Sequence, residues 1–162
     1  MMTAGLRGSY LAPERMAPPV AFNGSLMSPR GRTSDRADAA PLRIVIVEDE
    51  LLIAMDIEMT VEDAGHEVVG QAMTADEAVQ MVGRERPHAV LMDLRLANGS
   101  CGADAARRIR DRYGIRSIFL SGNLTPDKRA ELADLEPLAM LNKPFSPVEL
   151  AGALEAVIEK AN

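Results

Sequence analysis

The chain holds a single cysteine, Cys101, among 162 residues, which excludes an internal disulfide and suits the reducing cytoplasm. No apolar run comes near the length that crosses a bilayer, so no membrane association is expected. No basic segment followed by an apolar stretch and a cleavage site stands near Met1. Excess positive charge is missing too. The net charge of −6 argues against direct DNA binding, because a phosphate backbone demands a basic surface. What remains is a hydrophobic share of 47% and a charged share of 26%, enough to build one ordinary globular core.

The charge is unevenly spread. Residues 1–41 hold five arginines and three acids, a net of +2, whereas residues 42–162 hold 13 basic and 21 acidic residues, a net of −8. The first stretch contains Ala17-Pro18-Pro19 and Ser28-Pro29-Arg30-Gly31-Arg32, with little periodicity. It reads as a disordered N-terminal extension. Residues 42–162 read as one folded domain.

That domain alternates short apolar runs with helical patterns. Ile44-Val45-Ile46-Val47 is β-branched and apolar on both faces, as a buried parallel strand should be. A helix is expected from Leu51 to Ala64, with Leu51, Met55 and Met59 near one face and Gly65 as its stop. Glu67 to Ala72 is a weaker strand. Thr74 and Glu77 have capping-box spacing for a second helix that ends before Pro87. Ala89 to Met92 is the third strand, and a glycine-containing loop from Ala97 to Gly102 leads to a helix from Ala103 to Tyr113. Ser117 to Leu120 is the fourth strand, followed by a helix opened by Thr125-Pro126. Ala139 to Leu141 is the fifth, and Ser146 with Glu149 opens a last helix that runs to about Lys160. The scattered methionines are expected mostly as core fillers. Five such units predict an α/β fold, a doubly wound five-stranded parallel sheet with helices on both faces. The flavodoxin-like strand order 2-1-3-4-5 is the simplest for five units.

In open parallel sheets, ligands sit beyond the carboxyl ends of the strands, where strand order reverses. Strand one ends in Glu48-Asp49-Glu50, strand three in Asp93, strand four in Ser121 and strand five in Asn142-Lys143-Pro144. Strand two, at the outer edge, offers no charge. Glu48, Asp49 and Asp93 repel one another unless a cation joins them, and their oxygens suit Mg2+. Lys143 can pair with phosphate oxygens or with Asp93 at rest, and Ser121 offers a hydroxyl donor. A carboxylate nucleophile, a divalent cation, a lysine and a hydroxyl together fit a transferring phosphoryl group.

These residues resemble the receiver family of two-component response regulators. The motifs are Val47-Glu48-Asp49-Glu50, Leu91-Met92-Asp93-Leu94-Arg95-Leu96, Phe119-Leu120-Ser121-Gly122 and Asn142-Lys143-Pro144-Phe145. The resemblance covers about residues 42–160. It implies Asp93 as phosphoacceptor, Ser121 as switch hydroxyl and Lys143 as the phosphate-contacting lysine. It implies a magnesium site of Glu48, Asp49, Asp93 and the backbone carbonyl of Arg95. The donor would be a sensor histidine kinase or a phosphotransfer protein. Three positions depart from the family pattern. Met140 replaces an aromatic residue three positions before the lysine, Gly122 stands where alanine is common, and Ala97 replaces a frequent proline. The stretch Phe119-Leu120-Ser121-Gly122 is similar to a subgroup of stand-alone receivers from alphaproteobacteria. The resemblance also places Arg95 and Asn123 beside the path of water to an acyl phosphate.

The expected function is phosphorelay signalling without enzymatic output. Only Ala161-Asn162 follows the last helix, so the domain is expected to act by binding a downstream regulatory protein or by draining phosphate from a kinase. A phosphohydrolase with a phospho-aspartate intermediate would want a second carboxylate two residues after the nucleophile, where Arg95 stands. A nucleic-acid tether in residues 1–41 is a third reading, marked by salt-dependent binding. His66 and His88 are expected at the surface, and Cys101 as an incidental small residue.

Overall fold

The computed structural model describes residues 40–161. The expected disordered extension, residues 1–41, lies outside the described residues except for Ala40 and Pro41. Five strands, β1 (Arg43–Val47), β2 (Glu67–Ala72), β3 (Ala89–Asp93), β4 (Ser117–Ser121) and β5 (Ala139–Asn142), form one parallel sheet in the order β2-β1-β3-β4-β5. The helices are α1 (Leu51–Asp63), α2 (Ala75–Glu85), α3 (Gly102–Tyr113), α4 (Pro126–Ala133) and α5 (Pro147–Ala161). The expected doubly wound architecture is the observed one.

Strand alternation divides the core in two. Val45, Val47, Val90, Met92 and Phe119 point to one side and pack with α2, α3 and Leu132 of α4. Ile44, Ile46, Leu91, Ile118 and Leu120 point to the other and pack with α1 and α5. Each central strand is therefore apolar on both faces, because helices cover both. The weakness of β2 has a cause. It is an edge strand, and the register with β1 skips Val69 between the pairs Ile44–Val68 and Val45–Gly70.

Helix ends follow their local chemistry. Thr74 accepts a hydrogen bond from the Glu77 backbone N–H (3.3 Å), while the Glu77 carboxylate takes the N–H of Met73 (3.0 Å) rather than that of Thr74. Ser146 and Glu149 close a reciprocal capping box, with the carboxylate on the Ser146 N–H at 2.8 Å. Gly65 and Gly114 sit at positive φ just past α1 and α3, where a β-carbon would strain the chain.

Helix α1 buries a stripe that the sequence reading did not single out. The Leu51, Met55 and Met59 face turns outward, and the buried residues are Ala54, Ile57 and Val61. The helix carries two apolar stripes, and only one can lie on the sheet. The stripe with Ala54 and β-branched Ile57 and Val61 packs beside Ile44 and Ile46 of β1. The expectation of methionines as core fillers also fails for Met55, Met59 and Met73, which are exposed, although Met92 is fully buried. His66 and His88 lie at the amino end of the sheet, where their Nδ1 atoms accept the backbone N–H of Leu42 (3.4 Å) and Arg43 (2.8 Å).

The choice of stripe is measurable. Ile57 is 1% exposed and Met59 is 64% exposed. Ile57→Ala is expected to lower unfolding stability by about 2–4 kcal/mol, and Met59→Ala to change it by less than about 0.5 kcal/mol. Urea denaturation of both variants checks this, and equal losses would reverse the assignment.

Candidate functional site

The site is built from the carboxyl ends of β1, β3, β4 and β5. β1 runs out at Val47, and Glu48 follows as a buried residue whose backbone N–H still bonds the carbonyl of Ala72 (3.0 Å). Its Oε1 accepts the N–H of Glu50 (3.2 Å), which folds the carboxylate back over the turn into α1. Asp49 is half-buried beside it, while Glu50 is exposed at the start of α1. Asp93 ends β3 and is buried, and its Oδ1 accepts the backbone N–H of Arg95 (3.0 Å).

Glu48, Asp49 and Asp93 offer carboxylate oxygens that all lie within 4.8 Å of one another. Among the described residues this is the grouping of acids that could hold a metal ion. The donors are all oxygen, which fits a hard divalent cation such as magnesium, with water filling what the protein leaves open.

Lys143 answers the crowding of charge. It follows β5, and its Nζ donates to Asp93 Oδ2 (2.6 Å) and to Glu48 Oε2. Its ammonium is mostly shielded from solvent, and the Glu48 side chain is 1% exposed. Burial pushes the Glu48 carboxyl above its ordinary value, more than the hydrogen bond and charge of Lys143 pull it down. Burial also works against the Lys143 ammonium, but its bonds to Asp93 and Glu48 outweigh that and raise its pKa. The lysine therefore stays charged and holds two carboxylates together.

Ser121 ends β4, buried, and its Oγ accepts the N–H of Asn123 (3.3 Å). Its carbonyl accepts the backbone N–H of Lys143 (2.8 Å), so the sheet fixes the two residues side by side. Arg95 is exposed. Its backbone lies against Asp93, and its side chain helps line a cleft of about 530 Å³ with Cys101, Ser121, Asn123 and Lys128. The described structure therefore gathers Glu48, Asp49, Asp93, Ser121 and Lys143 at one end of the sheet, with Arg95 and Asn123 at the rim.

The loop after β3 is tied down from two sides. The Ala97 N–H donates to the Met73 carbonyl (3.0 Å), and the Ala75 N–H donates to Ser100 Oγ (3.2 Å). One 3-10 turn, Ala97–Gly99, occupies the loop that the sequence suggested. Gly102 begins α3 so close to β3 that an added β-carbon would overlap the Asp93 carbonyl oxygen. Two contributions were not legible in the sequence: this glycine, and Asn142, whose side-chain oxygen accepts the N–H of Leu124 (3.1 Å). The close approach at Gly102 leaves no mark beyond a glycine at a helix start. The polar residue before Lys143 was the available signal for Asn142.

The family model for the response regulator receiver domain matches residues 44–155. The chain belongs to that family. It is 36% identical over 116 residues to the phyllosphere-induced regulator PhyR of Methylorubrum extorquens, a match covering 71% of this chain and 43% of that protein. It is 33% identical over 130 residues to the transcriptional regulatory protein PdtaR of Mycobacterium tuberculosis, covering 80% of this chain and 63% of that protein. The crystal structure of the anti-anti-sigma factor PhyR from Bartonella quintana superposes with a TM-score of 0.67 at 35% identity, over 76% of this chain and 50% of that one. The chain thus spans about half the length of the relatives it matches. It is a signalling domain of two-component systems, and these relatives are regulators.

Lys143 bonds Glu48 and Asp93, two of the three carboxylates that a metal ion would use, so the ammonium and the cation would compete for them. Lys143→Gln is expected to bind magnesium several-fold more tightly than the unaltered chain, and Asp49→Asn several-fold more weakly. Protons compete as well, so affinity falls as pH drops toward the raised value of Glu48. Calorimetric or amide-shift titration reads each affinity, and an unchanged value in Lys143→Gln would contradict the competition.

Proposed function

We propose that this receiver domain takes one phosphoryl group onto Asp93 in a magnesium-dependent transfer from a sensor histidine kinase or a phosphotransfer protein. The observation that carries the reading is the ammonium of Lys143 held on Asp93 and Glu48, beside Asp49, at the carboxyl end of the sheet. Glu48, Asp49, Asp93 and the Arg95 carbonyl would hold the Mg2+, which neutralises negative charge on the transferring group.

The chain's own groups divide the remaining work. An Asp93 carboxylate oxygen attacks phosphorus in line, so a P–O bond forms as the P–N bond of the donor phosphohistidine breaks. The released imidazole keeps the bonding electron pair and takes a proton from water. Lys143 exchanges its bond to Asp93 for a phosphoryl oxygen, and Ser121 donates its hydroxyl to another. Arg95 and Asn123 line the cleft beside Ser121, which in this reading is the way water reaches the product. The arginine can pair with the phosphoryl oxygens and shield them, while the asparagine can orient a water.

The exposed apolar face of α1 gives the donor a place to bind. Leu51, Leu52 and Met55 are exposed on the turns of α1 nearest the site. Leu52, Ile53 and Asp56 share a groove with Lys143, Pro144 and Phe145. A kinase helix laid there would bring its phosphohistidine toward Asp93. The output in this reading is partner binding, as for a protein named an anti-anti-sigma factor, or removal of phosphate from a shared kinase. In this reading the domain works in the cytoplasm, where a single cysteine with no internal disulfide is at home and a sensor kinase presents its catalytic face.

Asp93→Ala is expected to lose phosphoryl uptake from acetyl phosphate and magnesium, read by intact mass, while remaining folded. Undiminished uptake would move the acceptor elsewhere. Leu52→Asp separates docking from chemistry: transfer from a kinase should fall at least about tenfold, the size of one lost apolar anchor, with uptake from acetyl phosphate unchanged. Once phosphorylated, Arg95→Ala is expected to lose phosphate faster than the unaltered chain, and Asn123→Ala more slowly or at the same rate. Slower decay in Arg95→Ala would mean that the arginine assists water.

A further inference from the structure

The residues between Ser121 and α4 show where a mechanical link from the site to that helix is available. Ser121 and Asn142 are register partners in β4 and β5. The four residues that join β4 to α4 are held at two points. The Asn123 N–H donates to Ser121 Oγ at 3.3 Å, and the Leu124 N–H donates to Asn142 Oδ1 at 3.1 Å. Leu124 is buried and packs in one cluster with Leu132 of α4 and with Met140. Thr125 then caps α4 by accepting the Lys128 N–H (3.2 Å). The first turn of α4 thus hangs from Leu124, and Leu124 hangs from the Asn142 amide.

We infer that Asn142 is the positioning residue that couples the state of Asp93 to α4. The inference rests on the phosphoacceptor reading above. When Ser121 turns its hydroxyl toward a phosphoryl oxygen, the bond it accepts from Asn123 is put under tension. Lys143, the residue after Asn142, moves its ammonium to the same phosphoryl group. Both motions act on the ends of β4 and β5, and the Asn142–Leu124 bond carries them across to the loop. Met140 has no ring hydroxyl to make a second polar link. Its carbonyl receives only a long bond, 3.5 Å, from Arg129 of α4.

The test uses the full chain, acetyl phosphate and magnesium, with amide spectra of Gly122 to Lys128. In Asn142→Ala, the Leu124 amide should exchange with solvent about fivefold to tenfold faster before phosphorylation, the factor that one net hydrogen bond supplies. Phosphoryl uptake should stay within about twofold, a change far below what loss of a transition-state contact costs. The phosphorylation-dependent shifts of Thr125 to Lys128 should disappear. Asn142→Asp keeps the acceptor oxygen and should restore both Leu124 protection and the phosphorylation-dependent shifts of Thr125 to Lys128, whereas a merely structural role would restore the protection without the shifts. Normal uptake with full α4 shifts in Asn142→Ala overturns the coupling alone. Absence of uptake in the unaltered chain overturns the phosphoacceptor reading, and the coupling falls with it.

Discussion

Three carboxylates crowded at the end of a parallel sheet are the constraint on which the rest of this structure depends. Glu48, Asp49 and Asp93 come together because β1 and β3 are neighbours and both stop at the same level. Left alone they would repel, and a buried unpaired charge costs several kcal/mol. Lys143 resolves this at rest by bonding two of them at once. Its position is set in turn by β5, whose last residue pairs with Ser121. Four strands therefore have to be in register for the charges to balance, so the site and the sheet report on each other.

The same arrangement stores a capacity for change. A lysine that neutralises two acids can be drawn away by a cation on the acids or by a phosphoryl group on one of them. The surrounding loops do not share that freedom. The β3–α3 loop is tied to the start of α2 through Ala97 and Ser100, and Gly102 lets α3 press against the Asp93 backbone. The β4–α4 connection lies beside a cleft, and one of its two hydrogen bonds is accepted by Ser121, a residue of the site itself. Under the proposed reading, a bond that reaches from the site into a neighbouring loop is what a switch requires.

Much of this was legible in residues alone. Runs such as Ile44–Val47 and Ser117–Leu120 marked strands buried on both faces, and hydroxyl–carboxylate spacings at Thr74 and Ser146 marked helix starts. The strand order was the simplest for five alternating units, and listing what ends each strand picked out the acids, Ser121 and Lys143 that the sheet brings together. The pattern was less informative where two answers share one period. Helix α1 has apolar residues at both Leu51–Met55–Met59 and Ala54–Ile57–Val61, and periodicity does not say which stripe meets the sheet. Contacts between distant residues were also hidden. Nothing in the local sequence ties Asn142 to Leu124 or sets Gly102 against Asp93, because both are products of how strands and helices pack.

The central claim is that Asp93 is the residue that receives phosphate. An acyl phosphate is reduced by borohydride to an alcohol, which turns a phosphorylated aspartate into homoserine. The full chain, treated with acetyl phosphate and magnesium and then with labelled borohydride, should carry its label in the peptide containing Asp93, as homoserine at that position. Omitting magnesium should remove the label. Label at Asp49 or Glu48 with Asp93 unmodified, or label that does not depend on the phosphodonor, would contradict the account.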